Sequence, residues 1–131
     1  MSLVLDGTLG VQVPASSTGN SGAVAWVNFN GTSGASPVIR ASYNVASVTR
    51  TSAGTYTIVF SNALVDANYC VIGSSSTNGS VPSSGLQINS TSYGGSWALV
   101  TPTTTQFGIG VLYYNGAAAL DATYVSVAVF R

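Results

Sequence analysis

Short runs in which apolar and polar side chains alternate, cut by Gly, Asn and Pro, constrain this fold most. In Thr55-Tyr56-Thr57-Ile58-Val59-Phe60, Tyr56, Ile58 and Phe60 share one side, while Thr55, Thr57 and Val59 take the other. A period of two is the signature of a half-buried strand. The same reading predicts strands over residues 24–29, 68–72, 86–89, 97–100, 104–114 and 124–130. Residues 38–50 read as one long strand, bulged around 44–47. Asn30-Gly31 and Asn115-Gly116 are turn signals, residues 74–85 are a polar loop with Pro82, and Thr51-Ser52-Ala53-Gly54 has the length of a hairpin turn with positive φ at Gly54. Phe107, Ile109, Val111 and Tyr113 fall on one side of their strand, with Gly108 and Gly110 facing another close backbone or ring. The last strand is apolar on both sides, as a strand is when it is central or covered by a partner. No segment carries helical spacing. The expectation is an all-β protein, an antiparallel β-sandwich of jelly-roll-like type.

Composition narrows the chemistry. The 131 residues include three Lys+Arg, three Asp+Glu and no His, so charged residues are 5% and the formal net charge is zero. An average soluble domain carries about 25%. The cations are Arg40, Arg50 and Arg131, and the anions are Asp6, Asp66 and Asp121. Without His or Lys there is no Ser-His-Asp site and no phosphate loop. One Cys and three scattered Asp make neither a zinc nor a calcium site, so no metal and no cofactor is expected. Three separate Arg are not a basic stripe for nucleic acid. No stretch is long and apolar enough for a membrane helix. The chain reads as a non-enzyme. A surface of Ser, Thr, Asn and Gly has few charges to desolvate on contact, which points to packing against copies or a larger assembly; the alternative is a monomer with an uncharged polar exterior.

Residues 1–23 differ from the rest of the chain. Leu3, Val4, Leu5, Val11 and Val13 form short apolar pieces, and residues 15–22 are a polar linker by composition. The expected organisation is an extended attachment arm over 1–23 and a β-sandwich domain over 24–131. The arm either docks on a neighbour or folds back on its own domain. Met1-Ser2-Leu3-Val4-Leu5-Asp6 lacks the pattern of a secretory leader. Cys70, within Tyr69-Cys70-Val71-Ile72, reads as a small buried hydrophobe, with an intermolecular bridge or a reactive thiol as the other reading. Asp66-Ala67-Asn68-Tyr69 is echoed by Asp121-Ala122-Thr123-Tyr124. Each Asp stands at a strand entrance, where it can bond to the backbone two residues on. Trp26 and Phe29 lie on opposite sides of one strand, so at least one packs in the core. Asn44 and Asn68 are read as bonding to backbone at a bulge or strand end.

Three blocks carry a resemblance. Ala25-Trp26-Val27-Asn28-Phe29-Asn30-Gly31 resembles the AWVNFDG segment of bacteriophage tail-fibre and related virion-appendage domains. Ser42-Tyr43-Asn44-Val45-Ala46-Ser47-Val48-Thr49-Arg50, followed by residues 54–60, is similar to a hairpin of that family. Asp66-Ala67-Asn68-Tyr69-Cys70-Val71 and the closing strand are similar as well, so the likeness spans residues 24–131. It departs at Asn30, where the family often has Asp, and in the segment around Gly7-Thr8-Leu9-Gly10-Val11. The resemblance implies a structural virion protein, a homotrimer placed among other virion proteins and made in the host cytoplasm. It further implies contact with host surface polysaccharide or protein. Tyr93, Trp97, Tyr113 and Tyr114, set near Gly, Ser, Thr and Asn, are the candidate contact residues. Two other readings stand beside it: a capsid decoration or cement protein anchored by the arm, and a lectin-like module. The chain is expected to be either a small whole virion protein or the end of a longer fibre.

Overall fold

The computed structural model describes residues 4–6, 10–12, 22–76, 83–88, 101–113 and 119–131. Its strands are β1 (Val4–Asp6), β2 (Gly10–Gln12), β3 (Ala23–Asn30), β4 (Val38–Tyr43), β5 (Val45–Ser52), β6 (Thr55–Phe60), β7 (Cys70–Ser75), β8 (Ser83–Ile88), β9 (Gln106–Tyr113) and β10 (Val125–Phe130). The described residues contain no helix. Eight strands form two four-stranded antiparallel sheets, β4-β3-β10-β7 and β5-β6-β9-β8, which face each other as a β-sandwich. Strands β1 and β2 pair with each other, Leu5 opposite Val11, as a separate ladder.

Strand parity builds the core. Ala25, Val27 and Phe29 of β3 and Val125, Val127 and Val129 of β10 point inward from the first sheet. They meet Tyr56, Ile58 and Phe60 of β6 and Phe107, Ile109 and Val111 of β9. Phe29 meets Tyr56 edge to face at 5.0 Å, and Phe60, Tyr69 and Phe107 form a second aromatic group. Burying a side chain the size of Phe29 contributes about 2–3 kcal/mol.

The strand order is not that of a jelly roll, whose chain changes sheet at nearly every connection. Here β3–β4 and β5–β6 are each hairpins within one sheet, and the chain crosses between them. That crossing corrects the expected single strand over 38–50. Asn44 takes φ of +53°, a conformation Asn tolerates better than most residues. The chain breaks there, and β4 and β5 part into different sheets, with a register irregularity between Val45 and Ser47. The Asn44 side chain fixes the corner: its Oδ1 accepts from the Asn62 N–H at 2.8 Å, and its Nδ2 donates to the carbonyls of Val24 and Asn62 at 3.3 and 3.2 Å.

The hairpin turn is as expected, with Gly54 at φ +64°. A Cβ there would lie 2.6 Å from the Leu120 carbonyl oxygen and 2.8 Å from that of Val111, so positive φ and close approach both require glycine. Cys70 corrects the buried reading. It pairs with Phe130 at the start of β7 and is exposed, because parity turns Tyr69 and Val71 inward instead. The expected strand at 97–100 lies outside the described residues.

Asn44→Ala is expected to cost roughly 2 kcal/mol, the corner's hydrogen bonds plus left-handed strain. Asn44→Gly should lose the bonds without the strain. Urea unfolding of both variants checks this; equal losses would show that conformation at Asn44 does not matter.

Candidate functional site

The first sheet exposes its outer side, and parity arranges that side in rows. Tyr43, Trp26, Ala128 and Ile72 are direct cross-strand partners, one from each of β4, β3, β10 and β7. The adjacent row is Ala41, Asn28, Ser126 and Ser74. Trp26 is 39% exposed, Tyr43 58% and Ile72 59%, high values for large apolar side chains. Small Ala128 and Ser126 form the floor of an open depression of about 510 Å³, walled by Trp26 and Asn28 on one side and Ile72 and Ser74 on the other. Asn28 Nδ2 donates to Ser126 Oγ at 2.8 Å, which ties the polar wall to the floor.

Arg40 stands beside this row at the irregularity between β3 and β4. Its guanidinium lies 4.1 Å from the centroid of the exposed Tyr124 ring, a cation–π contact. Nη2 donates to the Thr123 carbonyl at 2.7 Å, and Nη1 reaches Asn28 Oδ1 at 3.4 Å.

A second cluster closes one end of the sandwich. Asp121 Oδ1 accepts from Arg50 Nε at 2.9 Å, the Gly54 N–H at 2.8 Å and the Tyr56 hydroxyl at 2.8 Å. Asp121 Oδ2 accepts from Arg50 Nη2 at 2.8 Å. Burial pushes the Asp121 carboxyl up, but Arg50, the Gly54 amide and the Tyr56 hydroxyl together hold it below the usual carboxylate range. Burial, then the Asp121 carboxylate, push the Tyr56 hydroxyl well above its ordinary value. Both carboxylate oxygens are filled by fixed donors, an arrangement suited to holding a position. Asp66 behaves differently. Arg131 and the Asn68 N–H hold its carboxyl low, the latter bond at 2.7 Å, as expected for a strand-entrance Asp. The echoed motif diverges by parity: Tyr69 turns into the core, whereas Tyr124, preceding inward Val125, turns out. Asn68 makes its local bond through its backbone N–H.

Of the contact residues expected from sequence, Tyr93, Trp97 and Tyr114 lie outside the described residues. Tyr113 ends β9, paired with Ser83. Of the arm residues, Val4, Leu5 and Val11 stand in the β1–β2 ladder, and Leu3 and Val13 lie outside the described residues. Sequence reasoning does not single out the Trp26–Ile72 depression. Its signals are the two-sided apolar pattern of β10 and the opposition of Trp26 to Phe29. Among the described residues, no three His, Cys, Asp or Glu side chains come together as metal ligands. Compared with known proteins, the chain matches no family model, no curated sequence and no solved structure.

Asp121→Asn is expected to cost about 2 kcal/mol at pH 7, below the figure for a fully buried pair because both side chains keep some solvent contact. The stabilising effect of a lowered carboxyl is present above its unfolded value near pH 3.9 and is lost as pH falls through the lower folded value. Urea unfolding from pH 7 to pH 2 should therefore show a shallower acid limb for Asp121→Asn. An unchanged acid limb would remove Asp121 from this role.

Proposed function

We propose that this chain is a non-catalytic structural module of a phage virion appendage of the tail-fibre type, acting as a homotrimer. The observation that carries the reading is the treatment of charge. Arg50 is spent on Asp121, Arg131 on Asp66, and Arg40 lies over Tyr124, leaving the described surface with little unpaired charge. Such a surface desolvates cheaply against neighbours, while net charge that would keep chains apart is missing. The blocks that carry the resemblance are also those on which the sandwich depends. The first is central strand β3, the second is the Asn44 corner with the β5–β6 hairpin, and the closing block brings Asp121 and β10. The trimeric state and the host-facing role follow from the resemblance.

Capsid decoration is the second reading. The observation favouring it is the β1–β2 ladder, which among the described residues is a sheet separate from the two four-stranded ones and suits an anchor.

Light scattering of the purified chain is expected to give the mass of three chains; a monomer at micromolar concentration would contradict the trimer. Antibody labelling of intact particles separates the two readings. Few copies at the tail support the appendage, and hundreds over the head support decoration. Labelling of neither would overturn both.

A further inference from the structure

We propose that the depression on the outer side of the first sheet binds an acidic saccharide, a pyranose ring bearing a carboxylate. The geometry supplies three kinds of contact in sequence. At one end, Trp26, Ala128 and Ile72 offer an apolar platform with an aromatic wall. The C–H face of a pyranose is apolar and packs on indole, while its edge carries hydroxyls that need partners. In the next row, Asn28, Ser126 and Ser74 supply them. Asn28 keeps a second amide N–H and Ser126 keeps its hydroxyl proton after their mutual bond. At the margin stands Arg40.

Arg40 decides the class of ligand. Arg50 and Arg131 each face a carboxylate, whereas among the described residues Arg40 has none. Its partners are a ring face, the Thr123 carbonyl and Asn28 Oδ1, and these use two of the five guanidinium N–H groups. The ring and the carbonyl pin the side chain, so little rotamer freedom is lost when an anion arrives. Asn28 connects it to the floor: Oδ1 faces Arg40, and Nδ2 is bonded to Ser126. A carboxylate at Arg40 thus belongs to a ligand whose ring lies across Asn28 toward Trp26. Among the described residues no charged side chain lines the depression itself, so the ligand's remaining groups are neutral. A volume of about 510 Å³ falls within the usual span of small-molecule sites, about 300–1,000 Å³.

The proposal rests on the appendage reading only for the source of the sugar, a host-surface polysaccharide; the chemistry stands on the depression and Arg40. The test uses the full chain with both tryptophans, and Trp26→Phe is the control that assigns the emission change to the depression. The probes are the trimers of galacturonate and mannuronate, their methyl esters, and hexa-aspartate. The expected result is a saturable change in Trp26 emission with at least one free-acid trimer, about tenfold tighter than with its ester, as one charge-assisted bond implies. Arg40→Gln should bring acid and ester within about twofold, and added salt should narrow the same gap. Circular dichroism and urea unfolding check that Arg40→Gln is folded; Arg40→Met, which also removes the charge, serves if it is not. Equal binding of acid and ester, a response to hexa-aspartate alone, or no response to any sugar would each overturn the proposal. So would a concentration-dependent emission change without ligand, which would make this side an interface between copies. Particle labelling and chain mass are measured separately, so failure of the sugar site leaves the appendage reading standing, and the reverse.

Discussion

The end of the sandwich is held by one carboxylate. Asp121 lies in the segment that leads into β10 of the first sheet, yet its bonds go to Arg50, Gly54 and Tyr56 on the β5–β6 hairpin of the second. The surrounding backbone repeats the linkage, with the Arg50 N–H on the Ala35 carbonyl at 3.0 Å and the Leu120 N–H on the Val111 carbonyl at 3.0 Å. Few charges are present in the sequence, and this one is placed where it joins the two layers. Desolvating a charge is costly unless it is paired and hydrogen-bonded, and four donors meet that condition here.

The described core can then be uncharged. The sheets meet through aliphatic and aromatic side chains, and the Asn44 corner sets how the chain passes from one layer to the other. With the two layers fixed, the outer side of the first sheet is a rigid surface whose rows are set by strand register. Small side chains on β10 between larger ones on β3 and β7 make it concave. Arg40, pinned on Tyr124, gives that surface a single positive charge at its margin.

Much of this is legible from sequence where the signal is local. Alternation in residues 55–60 and Gly54 before them locate the β5–β6 hairpin, because turn chemistry and parity act within a few residues. The all-β class and the pairing of Phe29 inside with Trp26 outside obey the same logic, although alternation leaves open which of the two is buried. Cys70 misleads because an apolar run hides its own parity until the neighbouring strand fixes it. The break at Asn44 resembles a bulge in sequence because a sheet change and a bulge both interrupt alternation. The ion pairs are out of reach: Arg50 and Asp121 are 71 residues apart, and no local pattern selects one partner among three. The depression is hidden for a similar reason, since its floor and walls together come from three strands that are distant in sequence.

Native-state hydrogen exchange at the Gly54 amide tests most directly whether the Asp121 carboxylate joins the layers. That N–H sits in a turn and is bonded to a side chain, so it has no place in a strand ladder. If the carboxylate holds the end of the sandwich, Gly54 opens only with the core amides of β6 and β10, at the free energy of global unfolding. Exchange at the fast rate of an ordinary turn amide would show that the sheets stay together without it.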